Sequence, residues 1–244
     1  MVLALLLSSG AALGQGKLLE QGKGLLGGQG GGLPGPADRP SSGGGLGAGL
    51  SQGQVGDGLR EALRVGARRT VDRVGQRDGY NRDPAIHVPL PGWLGKARSG
   101  LALAGQAGLL DDLELRLNWA AEDAAPKAFD IFADAIASMS IDDARGILNG
   151  PQDAATQYFR RTTSKPLADA MRPVVQQSLS EVGAVRSFQR LSEAKTGLPL
   201  GQAAGDFNLT SYALEQAIKG LFHYIAKEEA AIRSNPAARS TALL

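Results

Sequence analysis

The sequence predicts an all-α protein, a multi-helix bundle with kinked helices preceded by a glycine-rich leader. Three observations carry that expectation. From Ser51 onward apolar residues recur at three- and four-residue steps, the period of one helix face. No alternating apolar–polar pattern of the kind a half-buried strand needs occurs at any length. More than half of the 34 glycines fall before residue 60, so the helical texture begins where the glycine-rich texture ends.

The leader divides in two. Residues 1–14, "MVLALLLSSGAALG", combine a short apolar run with small residues, and Ala12-Leu13-Gly14 resembles an A-x-A-type cleavage site. They read as a signal peptide without the usual positive start, which places the protein in the periplasm or cell envelope. The apolar run is too short to remain as a spanning helix, so no transmembrane helix is expected in the mature protein. Residues 15–50 form a Gly-rich low-complexity linker that buries too little to offset its ordering entropy. Gly22, Gly24 and Gly27 match G-x-G-x-x-G by chance, since no strand precedes them and no βαβ unit follows.

Residues 51–244 form the all-α domain, long enough for an independent core. Ser51 with Gln54 resembles a capping box, and Leu59, Leu63, Gly66, Thr70 and Val74 mark the inner face of a first helix. Arg60, Arg64 and Arg68 run down its flank beside Asp57, Glu61 and Asp72, which reads as paired surface charge. A membrane-surface role for that stripe is the alternative, and it predicts salt-sensitive liposome binding. Residues 77–93 break the helix with Asp78-Gly79, Asp83-Pro84 and two more prolines, yet keep apolar anchors at Tyr80, Ile86, Val88, Leu90 and Trp93. Such a loop serves either as a strap or as a functional loop. An acidic helical region follows from Leu109 to Met139, with Pro126 expected to kink or split it. Ser140 and Asp143 cap a short helix that stops at Asn149-Gly150.

Residues 149–163, "NGPQDAATQYFRRTT", read as a compact helix of their own, with Gly150 at the N-cap, Pro151 at N1 and Asp153 near N3. Ala154, Ala155, Tyr158, Phe159 and Thr162 fall on its buried side; Asp153, Gln157 and Arg160 face outward, with Arg161 on the boundary. Ser164 and Pro166 open a further helix, and Pro173 is expected to kink or break it. A segment from Val185 to Ala194, the turn "TGLPLGQAAGD" and a last helix from Leu209 to about Arg233, stopped by Asn235-Pro236, complete the chain.

Composition excludes several kinds of chemistry. The absence of cysteine removes disulfides, thiol catalysis and Cys-ligated zinc. With 26 basic against 24 acidic residues, 5% aromatics and no recognition motif, nucleic acid is not an expected partner. His87 and His223 stand far apart, so no metal site is expected; His223 reads as a packed, satisfied residue. Asp123, Asp130 and Asp134 around Lys127 read as a solvated stripe rather than a hard-metal site. No Walker A, G-x-S-x-G or H-E-x-x-H pattern occurs. Two polar groupings remain. Asn118 and Glu122 sit one turn apart among alanines, where a carboxylate is partly buried and needs a cation or donors; Arg161 is the expected partner. The second grouping is Asn149, Asp153, Gln157, Tyr158, Arg160 and Arg161.

"DGYNRDPAIHVPLP", "LNWAAEDAAPKAFDIFADAI", "ILNGPQDAATQYFRRTT" and "IAKEEAAIRSNPAARSTALL" together resemble an uncharacterised bacterial family, domain of unknown function 4197. The resemblance covers about residues 51–244 and implies an exported, mostly helical protein of Gram-negative bacteria. It brings no activity, cofactor or catalytic residue. It also implies that the chain stops a few residues short of the usual end, and that the Cys some relatives carry near the signal is missing, against lipid anchoring. The function expected on these grounds is a non-enzymatic cell-envelope protein, structural or binding an envelope protein or small ligand, without a cofactor. The alternative is a hydrolase or transferase using Glu122 as acid or base, with Arg160 or Arg161 holding an anion.

Overall fold

The computed structural model describes residues 52–103, 105, 107–181, 183–193 and 207–234. The signal peptide, the glycine-rich linker, the Ser51 cap, the "TGLPLGQAAGD" turn and the Asn235-Pro236 stop lie outside the described residues. All regular structure among the described residues is helical, in eight α-helices and one 3-10 turn.

Helix α1 (Gln52–Val74) buries Leu63, Gly66, Thr70 and Val74 of the predicted stripe and half-buries Leu59, while Ala67 and Val71, which the stripe did not include, are buried beside them. The connection that follows, residues 75–91, crosses the molecule as an irregular strap, with Asp78 in the left-handed region at φ 64°. Helix α2 (Gly92–Leu103) was not expected from the sequence. Its glycines argue against a helix, but Leu94 and Leu101, two turns apart, are both buried and hold it to the core.

Helix α3 (Ala107–Ala124) and helix α4 (Ala128–Ala137) are divided by the 3-10 turn Ala125–Lys127, which places Pro126 where its missing N–H costs no α-helical bond. Leu110, Leu113 and Leu117, together with Ala120, Ala121, Ala124, Ala125 and Ala128, are wholly buried. The alanines let neighbouring helices approach closely. Helix α5 (Ile141–Asn149) carries the expected capping box: Ser140 Oγ accepts the Asp143 N–H at 3.0 Å, and the Asp143 carboxylate accepts the Ser140 N–H at 3.2 Å.

The segment after α5 differs from expectation in three ways. Gly150, in an extended conformation at φ −85°, caps the end of α5 and does not start the next helix. The next helix begins at Ala154, and the Gln157 N–H bonds the Asp153 carbonyl at 2.9 Å, so Asp153 occupies the N-cap. Helix α6 (Ala154–Glu181) then runs unbroken through Pro166 and Pro173, where two helices were expected. Both prolines are exposed and stand two turns apart on one face, so water can take the carbonyls they leave without a partner. On the opposite face Leu167, Met171 and Val175 are fully buried and carry the core stripe past both positions.

Helix α7 (Ala184–Glu193) and helix α8 (Leu209–Ser234) complete the described fold. Helix α6 packs on α8 and α3, and α1 packs on α8 and α4. Where α4, α6 and α8 meet, Phe132 lies edge-on to Phe159 at 5.2 Å and to Phe222 at 6.3 Å, the offset geometry aromatic pairs prefer. A second aromatic group fastens α2 and α7 to the start of α8: Trp93 contacts Phe207 at 5.7 Å and Phe188 at 6.2 Å. There Tyr212 donates its hydroxyl to the Pro89 carbonyl at 2.7 Å, closing the end of the strap.

Candidate functional site

The strap contains prolines and only isolated backbone turn bonds, among them those from the Gly79 N–H to Gln76 and the His87 N–H to Asp83, so its other inward-facing N–H groups need side-chain acceptors. One face of α3 supplies them. Asn118, wholly buried, accepts the Val88 N–H at 2.8 Å and donates to the Val88 carbonyl at 2.9 Å. One turn on, Glu122 Oε2 accepts the Asp78 N–H at 3.1 Å, while Oε1 accepts those of Tyr80 at 3.1 Å and Asn81 at 3.0 Å. One turn before, Glu114 lies 3.0 Å from His87 Nε2, whose Nδ1 meets the Asn81 carbonyl at 2.9 Å. Glu114, Asn118 and Glu122 are four apart in sequence and therefore form a single row.

Glu122 is buried as expected, at 2% exposure, but its partners are backbone donors and not Arg161. Arg161 sits on the outer edge of α6, with 66% of its side chain exposed, and lies 3.9 Å from Asp143. The row on α3 faces the strap, which leaves no route from Glu122 to that edge. Burial pushes the Glu122 carboxyl above the ordinary glutamate value, and the N–H groups of Asn81, Tyr80 and Asp78 and the Arg77 charge pull back only part of the way. Arg77 itself lies over the Trp119 ring, 3.5 Å from its centroid.

Two tyrosines fasten the strap to α8. Tyr80 is fully buried and donates to the Ala217 carbonyl at 2.6 Å. Tyr224 donates to the Asp83 carboxylate, with the Arg73 guanidinium over its ring at 4.3 Å. Burial would raise Asp83, but the Tyr224 hydroxyl, the Ala85 N–H, Arg73 and Lys227 outweigh it and hold the carboxyl below its ordinary value. His223 packs edge-on to Tyr224 at 5.3 Å, and its buried Nε2 has no hydrogen-bond partner among the described residues, so it is not the satisfied residue expected.

Glu229 escaped the sequence reading. It is 4% exposed on α8 and accepts the N–H groups of Ala155 at 2.9 Å and Thr156 at 2.8 Å, plus the Thr156 hydroxyl at 2.8 Å. A carboxylate from another helix thus satisfies the first turn of α6 at its positive end, and Arg233, 2.9 Å away, balances the charge. Its i,i+4 spacing to Arg233 was the available signal, although surface pairs share that spacing. Glu229→Gln keeps the shape, loses the charge and turns an amide N–H₂ toward a backbone donor. It is expected to cost about 2 kcal/mol in urea denaturation.

The remaining predicted residues do not form one site. Asn149 ends α5 and is exposed. Gln157 donates to the Asp153 carboxylate at 2.9 Å on the outer face of α6, and Arg160 lies over the Phe222 ring at 4.9 Å. Thr162, expected inside, is exposed, whereas Thr163 is buried and bonds the Phe159 carbonyl at 2.6 Å. Tyr158 and Arg161 do come together, in an open groove of about 470 Å³ between α4, the start of α5 and α6. Helix α4 lines it with Ile131, Asp134 and Ala135, Ser138 follows directly after that helix, and Asp143 comes from the start of α5. The volume falls in the range of small-ligand sites.

Among the described residues no three acidic or histidine side chains gather as a metal site would require, and no helix is long and apolar enough to cross a membrane. The family model described as protein of unknown function DUF4197 matches residues 49–244. No curated protein and no solved structure matches the chain.

Proposed function

We propose, for a chain that belongs to the DUF4197 family, that it is a non-enzymatic binding module of the cell envelope whose ligand groove lies between α4, α5 and α6. The observation that carries the reading is the groove: Asp134, Asp143 and Arg161 bring opposite charges to one open, partly apolar cleft on a rigid helical frame. Glu122, the candidate acid or base of an enzyme, has both oxygens engaged by strap N–H groups, which favours a scaffold role. Export is supported by the apolar start followed by small residues at positions 1–14.

Two measurements test the two parts. Amide NMR of the full chain against a set of small polar and charged molecules should shift the resonances of Ser138, Asp143 and Thr162 for at least one member. A set that leaves all three unmoved overturns the groove as a binding site. Cell fractionation with mass spectrometry of the mature N-terminus should find cleaved protein in the envelope; an intact Met1 on exported protein would reject the cleaved signal.

A further inference from the structure

The geometry points to the ligand class of that groove: a small dipolar molecule with a net positive charge, an amino acid bearing a cationic side chain. This inference rests on the groove being the binding site proposed above. Its basis is the proton inventory of the lining, in which the exposed Ser138 hydroxyl and the Arg161 guanidinium are the side-chain donors left to a ligand. Tyr158 already donates its hydroxyl proton to the Ala135 carbonyl at 2.8 Å, and Thr162 donates its own to the Tyr158 carbonyl at 2.8 Å. Both hydroxyl oxygens can therefore offer a ligand only lone pairs. Asp134 adds a carboxylate that has no hydrogen-bond or ion-pair partner among the described residues. Asp143 adds a second, with Oδ2 held by Ser140 at 2.6 Å and Oδ1 only 3.9 Å from Arg161, too long for a hydrogen bond.

The lining is thus rich in acceptors and carries two carboxylates against one guanidinium. A simple anion meets repulsion from both acids. A simple dication leaves Arg161 opposing it. One ammonium group set against Asp134 and the acceptor oxygens, a second against Asp143, and a carboxylate reaching Arg161 together satisfy every charge in the cleft. Arg161 is suited to that exchange, because it is mostly exposed and rests only loosely on the Tyr158 ring, 5.6 Å from the centroid.

The test is amide NMR titration of the full chain with L-lysine, cadaverine and inorganic phosphate. L-lysine should shift Ser138, Asp143 and Thr162 saturably, cadaverine should bind about fivefold more weakly, and phosphate should leave them unmoved. Asp134→Asn should weaken L-lysine about fivefold, and Arg161→Gln should remove the preference for L-lysine over cadaverine. Both side chains are exposed, so neither variant threatens the fold. Phosphate shifting the same amides, or unchanged L-lysine affinity in Asp134→Asn, overturns the inference. If other molecules shift the groove amides and L-lysine does not, the ligand class is wrong and the groove stands. If nothing shifts them, the groove itself falls.

Discussion

Gly220→Ala is expected to lower the melting temperature by about 6–12 °C, from a loss of about 3 kcal/mol at 2–4 °C per kcal/mol for a domain of this size. A Cβ at this position would stand 2.4 Å from Tyr80 Cε1 and 2.9 Å from its hydroxyl oxygen. Real carbon contacts do not close to that distance, so either the ring or the helix must move. The ring has nowhere to go. It is fully buried, its hydroxyl is tied to the Ala217 carbonyl at 2.6 Å, and its own N–H is held by Glu122. Alanine's better helix propensity returns only about 1 kcal/mol, well short of the overpacking. The double variant Gly220→Ala with Tyr80→Leu separates the causes. If the clash with the ring is the mechanism, the two changes together should cost clearly less than their sum. Simple additivity in urea melts would mean that the glycine matters for another reason.

Gly220 also shows where the sequence stops being informative. Within "KGLFHYIA" a glycine in mid-helix looks like a local weakness, and only the ring of Tyr80, 140 positions earlier, explains it. The helical class was legible because it rests on local periodicity: Leu110, Leu113, Leu117, Ala121 and Ala124 recur at three- and four-residue steps, and all are wholly buried. The single helix through Pro166 and Pro173 was not, since local propensity calls for a break and the decision belongs to the buried row Leu167, Met171 and Val175 on the far side. The candidate site divides in the same way. Burial of Glu122 could be read from its alanine neighbours. Its partners could not, because backbone N–H groups carry no residue identity and any strap sequence could present them. Arg161 has a named charge partner, yet the match to Asp143 depends on the angle between α5 and α6, which no spacing encodes.

The polar row on α3 therefore acts on the strap, and Glu122 is its critical member. Glu122→Ala removes the acceptor of three N–H groups at once. Asp78 and Asn81 are only partly buried, so water can replace the carboxylate there, whereas the Tyr80 N–H lies in the interior. One fully orphaned donor and two partly rehydrated ones, plus the cavity, should cost about 3–5 kcal/mol, or about 6–20 °C in melting temperature. Hydrogen exchange at the Tyr80 amide should accelerate with it. An Ala variant within about 0.5 kcal/mol of the parent would mean the strap is held elsewhere. Glu122→Gln keeps an oxygen for Tyr80 and Asn81 but can turn an N–H₂ toward the Asp78 donor, and should cost about half as much. The pair also isolates a pH effect. Burial raises the folded carboxyl above its ordinary value of 4.5, so between those two values the folded chain holds more protons than the unfolded one. Stability from this group accordingly falls as pH rises through that window. Asp83 and Asp143, both held low, push the opposite way and lose their contribution as pH falls, but they are common to parent and variant. The parent's advantage over Glu122→Gln should shrink as pH rises from 4.5 and level off above the folded value. A gap that widened with pH would mean that the three N–H donors outweigh burial and hold the carboxylate in its charged form.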